Sequence, residues 1–182
     1  MTVTAQLNVT PDGFCNHEDV AIDDDFMAFA VDCLAPADRL LLGRITFEMF
    51  ASYWPAAARD ASLPIWEQRL GQAIDGIDRT VASRTLTGTD WPGTAILPHL
   101  DEDSARTLAR DGHLLIFGSP SIIAQFAGWG LLDTLLLSVH PVLGRRGLRP
   151  FDGTVPEGMT CVSDRQTGAG VRTYRFTAGH HG

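Results

Sequence analysis

Three short segments of the chain combine the residue types that hold phosphate groups. They are Gly43-Arg44-Ile45-Thr46, Ser83-Arg84-Thr85 and Gly118-Ser119-Pro120-Ser121. Each follows a short strand-like run: Leu40-Leu41-Leu42, Thr80-Val81-Ala82 and Leu114-Leu115-Ile116-Phe117. A strand that stops at glycine and opens a helix turns free N–H groups and the positive end of the helix dipole outward. Arg44 and Arg84 can add charge-assisted hydrogen bonds. Thr46, Ser83, Thr85, Ser119 and Ser121 add hydroxyl donors. In an open parallel sheet, ligands bind outside the carboxyl ends of the strands. Taken singly, such a glycine is a turn and such a hydroxyl a helix cap. Together the three segments form a cradle suited to a di- or triphosphorylated ligand.

Composition narrows the chemistry further. The 182 residues carry 22 acidic and 14 basic side chains, a net charge of −8, and every basic residue is Arg. Without Lys there is no Schiff-base chemistry and no Gly-Lys-Ser/Thr phosphate loop. The acidic balance argues against nucleic-acid and anionic-membrane partners, which need a basic face. The dinucleotide fingerprint G-x-G-x-x-G is missing, since Gly128-x-Gly130 and Gly168-x-Gly170 lack the third glycine. His17, His99, His113 and His140 have no metal-like spacing, so no metal is expected. Cys15, Cys33 and Cys161 are scattered and form no C-x-x-C pair, as reduced thiols in the cytoplasm would be. No signal-peptide pattern opens the chain, and its apolar runs are too short to span a bilayer. Two features stay open. Arg145, Arg146 and Arg149 form either a solvated turn or a site for a substrate phosphate, and Phe50, Tyr53 and Trp54 either flank a flat ring or pack in the core.

The elements that must position these residues alternate between strand and helix. Val3, Ala5, Leu7 and Val9 alternate with Thr4, Gln6 and Asn8 as a strand, which Pro11-Asp12-Gly13 ends as a turn. Asp23-Asp24-Asp25 opens a helix whose apolar face runs from Phe26 to Leu34 and stops at Pro36. A helix after Gly43 is expected to end before Pro55, and another covers residues 63–74. Strands follow at residues 80–82, 94–97, 113–117 and 135–139, with helices after Asp101 and Ser119. Residues 159–166 and 170–177 read as two strands joined by the hairpin Thr167-Gly168-Ala169-Gly170. The pattern predicts a single α/β domain over residues 1–182, with a mostly parallel sheet and antiparallel C-terminal strands.

Leu40 to Glu48 resembles the Gly-Arg-x-Thr-aromatic-Glu segment of the dihydrofolate reductase-like superfamily. The chain is most similar to the branch containing the C-terminal reductase domain of bacterial riboflavin biosynthesis proteins. Met49 to Pro55, Ser83 to Leu86, Gly118 to Ile122, Gly130 to Leu135, and His140 to Gly144 with Gly147 extend that resemblance, which spans residues 3–152. It implies a three-layer α/β fold and NADPH as cofactor. Gly43, Arg44 and Thr46 would hold the pyrophosphate region. Ser83, Arg84 and Thr85 would surround the adenosine 2′-phosphate. Gly118, Ser119, Pro120, Ser121 and Ile122 would wrap the diphosphate from the other side.

The resemblance also supplies two candidate catalytic acids. Dihydrofolate reductases place a carboxylate at the start of the first helix, where Asp25 stands; Asp23-Asp24-Asp25 equally suits a helix cap. Asp12 matches the family's Ser-x-Asp-Gly segment, here Thr10-Pro11-Asp12-Gly13, and equally suits a turn. The expected protein is a cytoplasmic, homodimeric, NADPH-dependent reductase of a small heterocyclic or carbonyl substrate. No part of the chain resembles the zinc-binding deaminase domain that accompanies the riboflavin enzyme. The alternative is a non-catalytic nucleotide-, flavin- or folate-binding protein on the same fold.

Overall fold

A computed structural model describes residues 1–110, 112–144, 147–150 and 158–179. One eight-stranded sheet organises them. Its strands are β1 (Thr2–Val9), β2 (Arg39–Gly43), β3 (Asp78–Ala82), β4 (Thr94–Leu97), β5 (His113–Phe117), β6 (Thr134–Val139), β7 (Met159–Gln166) and β8 (Arg172–Ala178). Their spatial order is β4-β3-β2-β5-β1-β6-β8-β7. The first six are mutually parallel, and β8 and β7 close one side in antiparallel register. The carboxyl ends of β2, β3 and β5 therefore share one edge, as the sequence pattern requires.

Helices cover both faces of the sheet. On one side α1 (Asp24–Leu34), α2 (Arg44–Ala57) and α3 (Ile65–Gly76) pack Phe26, Phe29, Phe47, Phe50, Leu70 and Ile74 against Leu40, Leu42, Val81 and Leu115. On the other, α4 (Glu102–Ala109) and α5 (Pro120–Gly128) pack Ala105, Ala109, Ile123 and Phe126 against Val3, Ala5, Leu7 and Ile116. Alternate residues of a strand point to opposite faces, so neighbours such as Leu41 and Leu42 feed separate cores.

Three elements depart from the sequence pattern. The alternation in β1 suggests one wet face, yet β1 lies between β5 and β6 and both its faces are buried: Thr4 and Gln6 are 8% and 1% exposed. Hydrogen bonds make that burial tolerable, because Thr4 Oγ1 meets His113 Nε2 at 2.8 Å and Gln6 Nε2 donates to Asn8 Oδ1 at 2.8 Å. Helix α2 continues through Pro55 to Ala57. So near the helix end, proline removes one helical N–H and little follows to be disrupted. A short 3-10 turn at His17–Asp19, capped by Asn16, has no strong signal in the sequence.

Candidate functional site

Two helices begin at the shared strand edge, and neither has a side-chain cap. Gly43 precedes α2 and Ser119 precedes α5 without a capping hydrogen bond from either side chain. By contrast α1 and α4 are capped by Asp23 and Asp101. The first N–H groups of α2 thus lack intrahelical partners and side-chain caps, whereas α5 opens on Pro120, which has no N–H, and the Ile122 N–H bonds the Ser119 carbonyl at 2.9 Å, leaving that of Ser121.

The two turns are locked together by Ser119. Its Oγ accepts the Gly43 N–H at 2.7 Å and donates to Thr46 Oγ1 at 3.1 Å. Gly118 and Ser119 adopt φ values of 61° and 59°, the left-handed region. Serine there is strained by about 1 kcal/mol, and the two hydrogen bonds hold it. Gly43 is demanded by proximity, since a Cβ at that position would lie 3.3 Å from Ser119 Oγ. The Gly43 N–H and the Ser119 hydroxyl are therefore used in building the cradle. The groups left to face a ligand are the N–H groups at the start of α2 and that of Ser121, with the Thr46 and Ser121 hydroxyls.

At the end of β3, Ser83 Oγ accepts the N–H groups of Thr85 and Leu86 at 3.2 and 3.0 Å. This turn leaves Arg84 exposed, and among the described residues no carboxylate lies within 4.0 Å of it. Arg44 is exposed too, but its guanidinium is 2.8 Å from Glu48 Oε2, one turn along α2. Such a surface pair is worth little and can yield to a stronger anion.

These residues line one end of a cleft of about 1240 Å³. Gly43, Arg44, Thr46, Ser83, Arg84 and the whole Gly118–Ile122 segment border it, whereas Thr85 does not. His17 and His99 also line it, and Glu67 is its one acidic residue among those described. An acidic protein thus presents a locally basic edge with free backbone donors. The arrangement can hold a polyanion and leave the rest of the cleft for a second molecule.

No family model matches the chain. A relative from Bacillus subtilis (strain 168), the uncharacterized protein YyaP, is 29% identical over 146 residues, 78% of this chain and 75% of that protein. Solved structures are similar over nearly the full length. A Shewanella sp. PV-4 protein provisionally assigned to riboflavin biosynthesis superposes with a TM-score of 0.70 at 16% identity, covering 99% of this chain and 100% of its own. A pyrimidine reductase-like protein of Corynebacterium diphtheriae gives 0.67 at 15% identity, covering 98% and 92%. The fold is dihydrofolate reductase-like.

Within this dihydrofolate reductase-like frame, the two carboxylates singled out in the sequence are not among the residues that line the cleft. Asp12 is tied into the turn after β1, where its Oδ1 accepts Thr10 Oγ1–H at 2.6 Å and the Gly144 N–H at 2.9 Å. Those two hydrogen bonds, with Arg149 nearby, hold its pKa below the ordinary carboxylate range, which suits a turn anchor better than a proton donor. Asp25 is exposed in the first turn of α1, beside the β7–β8 hairpin. Its neighbour Asp23 caps the Phe26 N–H at 2.8 Å and also accepts the Ala169 N–H of the hairpin. Neither Asp12 nor Asp25 borders the cleft.

Phe50, Tyr53 and Trp54 all do. The sequence pattern passed over Gln6, Phe26, Met27 and Glu67, which also line it. The apolar ones carry the same signal as core residues, so only the tertiary arrangement separates wall from core. Arg145 and Arg146 lie outside the described residues, as does the His180-His181-Gly182 tail. Among the described residues no group of His, Cys, Asp and Glu could hold a metal, and no helix is long and apolar enough to cross a membrane.

Proposed function

We propose that the protein is an NADPH-dependent reductase of a small molecule. The observation that carries this reading is the pair of helix N-termini without side-chain caps, fastened by Ser119 at one end of the cleft. The first backbone N–H groups of α2 and the Ser121 N–H of α5 would bind the diphosphate, helped by the Thr46 and Ser121 hydroxyls. Arg84, exposed at the end of β3, would meet the 2′-phosphate. A bound reduced nicotinamide supplies a hydride, and the chain's own task is to orient the two molecules and exclude water. The name of one structural neighbour, a pyrimidine reductase-like protein, agrees with this reading. Thermal shift tests it: NADPH at 100 times its dissociation constant adds about 2.7 kcal/mol of stability. No shift with either NADPH or NADH at millimolar concentration would sink it.

A second reading, a non-catalytic nucleotide, flavin or folate binder, has one observation in its favour. Neither Asp12 nor Asp25, the carboxylates expected to assist proton transfer, borders the cleft. The two readings separate at 340 nm. A reductase oxidises NADPH in the presence of carbonyl or heterocyclic substrates, and a binder gives a thermal shift without turnover.

A further inference from the structure

Away from the strand ends the cleft changes character. Its walls there are Phe26 and Met27 of α1, Met49, Phe50 and Trp54 of α2, and Leu70 of α3. Along α2, Ile45, Met49 and Tyr53 recur at four-residue spacing, so they share one helix face. They line the cleft while remaining 68%, 38% and 43% exposed. Apolar side chains held open beside a polar cradle are what a pocket for an apolar body looks like. Among the described residues, the two arginines lining the cleft, Arg44 and Arg84, belong to the strand-end half. In the apolar half the charged group among the described residues is the Glu67 carboxylate, which accepts the Tyr53 hydroxyl. A negative charge there repels phosphate and carboxylate substituents.

We propose that this half of the cleft selects an uncharged, largely apolar substrate, with a flat ring or short chain, in preference to a phosphorylated sugar derivative. The proposal rests on reading the strand ends as the cofactor cradle, which leaves this half for the second molecule. Van der Waals contact with Phe26, Met49 and Trp54 supplies affinity. The Tyr53–Glu67 pair sets polarity at the outer end.

The probe is N-phenyl-1-naphthylamine, an uncharged apolar fluorophore that brightens on burial, titrated into the full-length protein. The expected result is saturable binding that is displaced by 2-acetylnaphthalene and unaffected by millimolar ribose 5-phosphate. Met49→Glu should weaken probe binding by about tenfold or more, while Met49→Leu should retain it. Met27→Glu, at a half-buried position on α1 in the same wall, carries the same test if Met49→Glu fails to fold. Displacement by ribose 5-phosphate overturns the proposal, as does undiminished binding to the glutamate variants. The cofactor reading is scored separately by the NADPH thermal shift of the unaltered protein. Probe binding that responds to Met49→Glu, with no NADPH shift, leaves the apolar site standing and removes the cofactor.

Discussion

Ser119 Oγ lies 2.7 Å from the backbone nitrogen of Gly43, so the β5–α5 turn accepts the N–H that leads into α2. Two loops 76 residues apart in sequence are held at one separation by a single hydroxyl. Replacing it by alanine strands a partly buried N–H, which costs about 1–3 kcal/mol. Ser119→Gly loses the same bond but relieves the left-handed strain at φ 59°, so its net loss is smaller by about 1 kcal/mol. Urea unfolding should rank the stabilities as unaltered protein, Ser119→Gly, Ser119→Ala. An unchanged midpoint for Ser119→Ala would mean that the staple contributes nothing.

Arg84 and Arg44 should respond differently to removal. Arg84 has no carboxylate partner among the described residues, whereas Arg44 already pairs with Glu48. A hydrogen bond to a charged group is worth about 1.5–3 kcal/mol. Arg84→Ala should therefore weaken NADPH binding roughly tenfold to a hundredfold, with little effect on NADH, which lacks the 2′-phosphate. Arg44→Ala should weaken both cofactors slightly and about equally. Calorimetric titration of each variant with both cofactors measures this. Equal losses for NADPH and NADH in Arg84→Ala would remove Arg84 from the 2′-phosphate.

The strand-end cradle was legible because local signals and topology agree there. Gly43, Ser83 and Gly118 each interrupt a buried run, and parallel strands must bring such ends to one edge. That Ser119 fastens the cradle was not legible, since a serine at a helix start ordinarily caps its own helix. Here a φ of 59° turns it toward β2 instead. Asp25 illustrates the opposite case. Three consecutive acids before an apolar face satisfy both a cap and a catalytic site in sequence, and the structure gives the cap to Asp23, which also accepts an N–H of the β7–β8 hairpin. The apolar wall of Met27, Met49 and Trp54 shares its periodicity with the core, so no pattern separates the two.

Arg79 supports the cradle from behind. It is 2% exposed, and its guanidinium donates to the carbonyls of Ile74, Asp75, Ile77 and Pro92 and to Thr94 Oγ1, with Cζ 4.1 Å from the Trp91 ring centre. Ile74 and Asp75 lie in the last turn of α3, where carbonyls lack helical partners. One cation thus caps α3 and anchors the loop between β3 and β4, four residues before Ser83. Arg79→Met should cost about 3 kcal/mol through unpaired carbonyls, or about 10 °C in Tm for a chain of this size. Arg79→Lys should recover little, because an ammonium cannot reach both α3 and Pro92. A melting scan of the two variants decides this, and a shift within a degree or two would show the cage to be dispensable.

His140 should make stability fall in mild acid. Its ring is 1% exposed and packs edge-on against Phe26, with centroids 5.1 Å apart. Nδ1 accepts the Ala21 N–H at 3.0 Å, so the neutral ring carries its proton on Nε2. Burial pushes the pKa down from 6.5 to about 4. The unfolded chain therefore binds more protons than the folded one below about pH 6.5, and stability is lost as the pH falls from there toward 4. The slope approaches about 1.4 kcal/mol per pH unit and the total is on the order of 3 kcal/mol. Protonation also places a hydrogen on Nδ1 against the Ala21 N–H, loosening the segment whose Val20 and Ile22 line the cleft. His140→Asn keeps an acceptor for Ala21 and removes the titration, so its stability should fall less steeply over that interval. Urea unfolding at stepped pH gives both curves. Carboxylates contribute alike to each, so the difference between them isolates the histidine, and parallel curves would show that His140 does not titrate there.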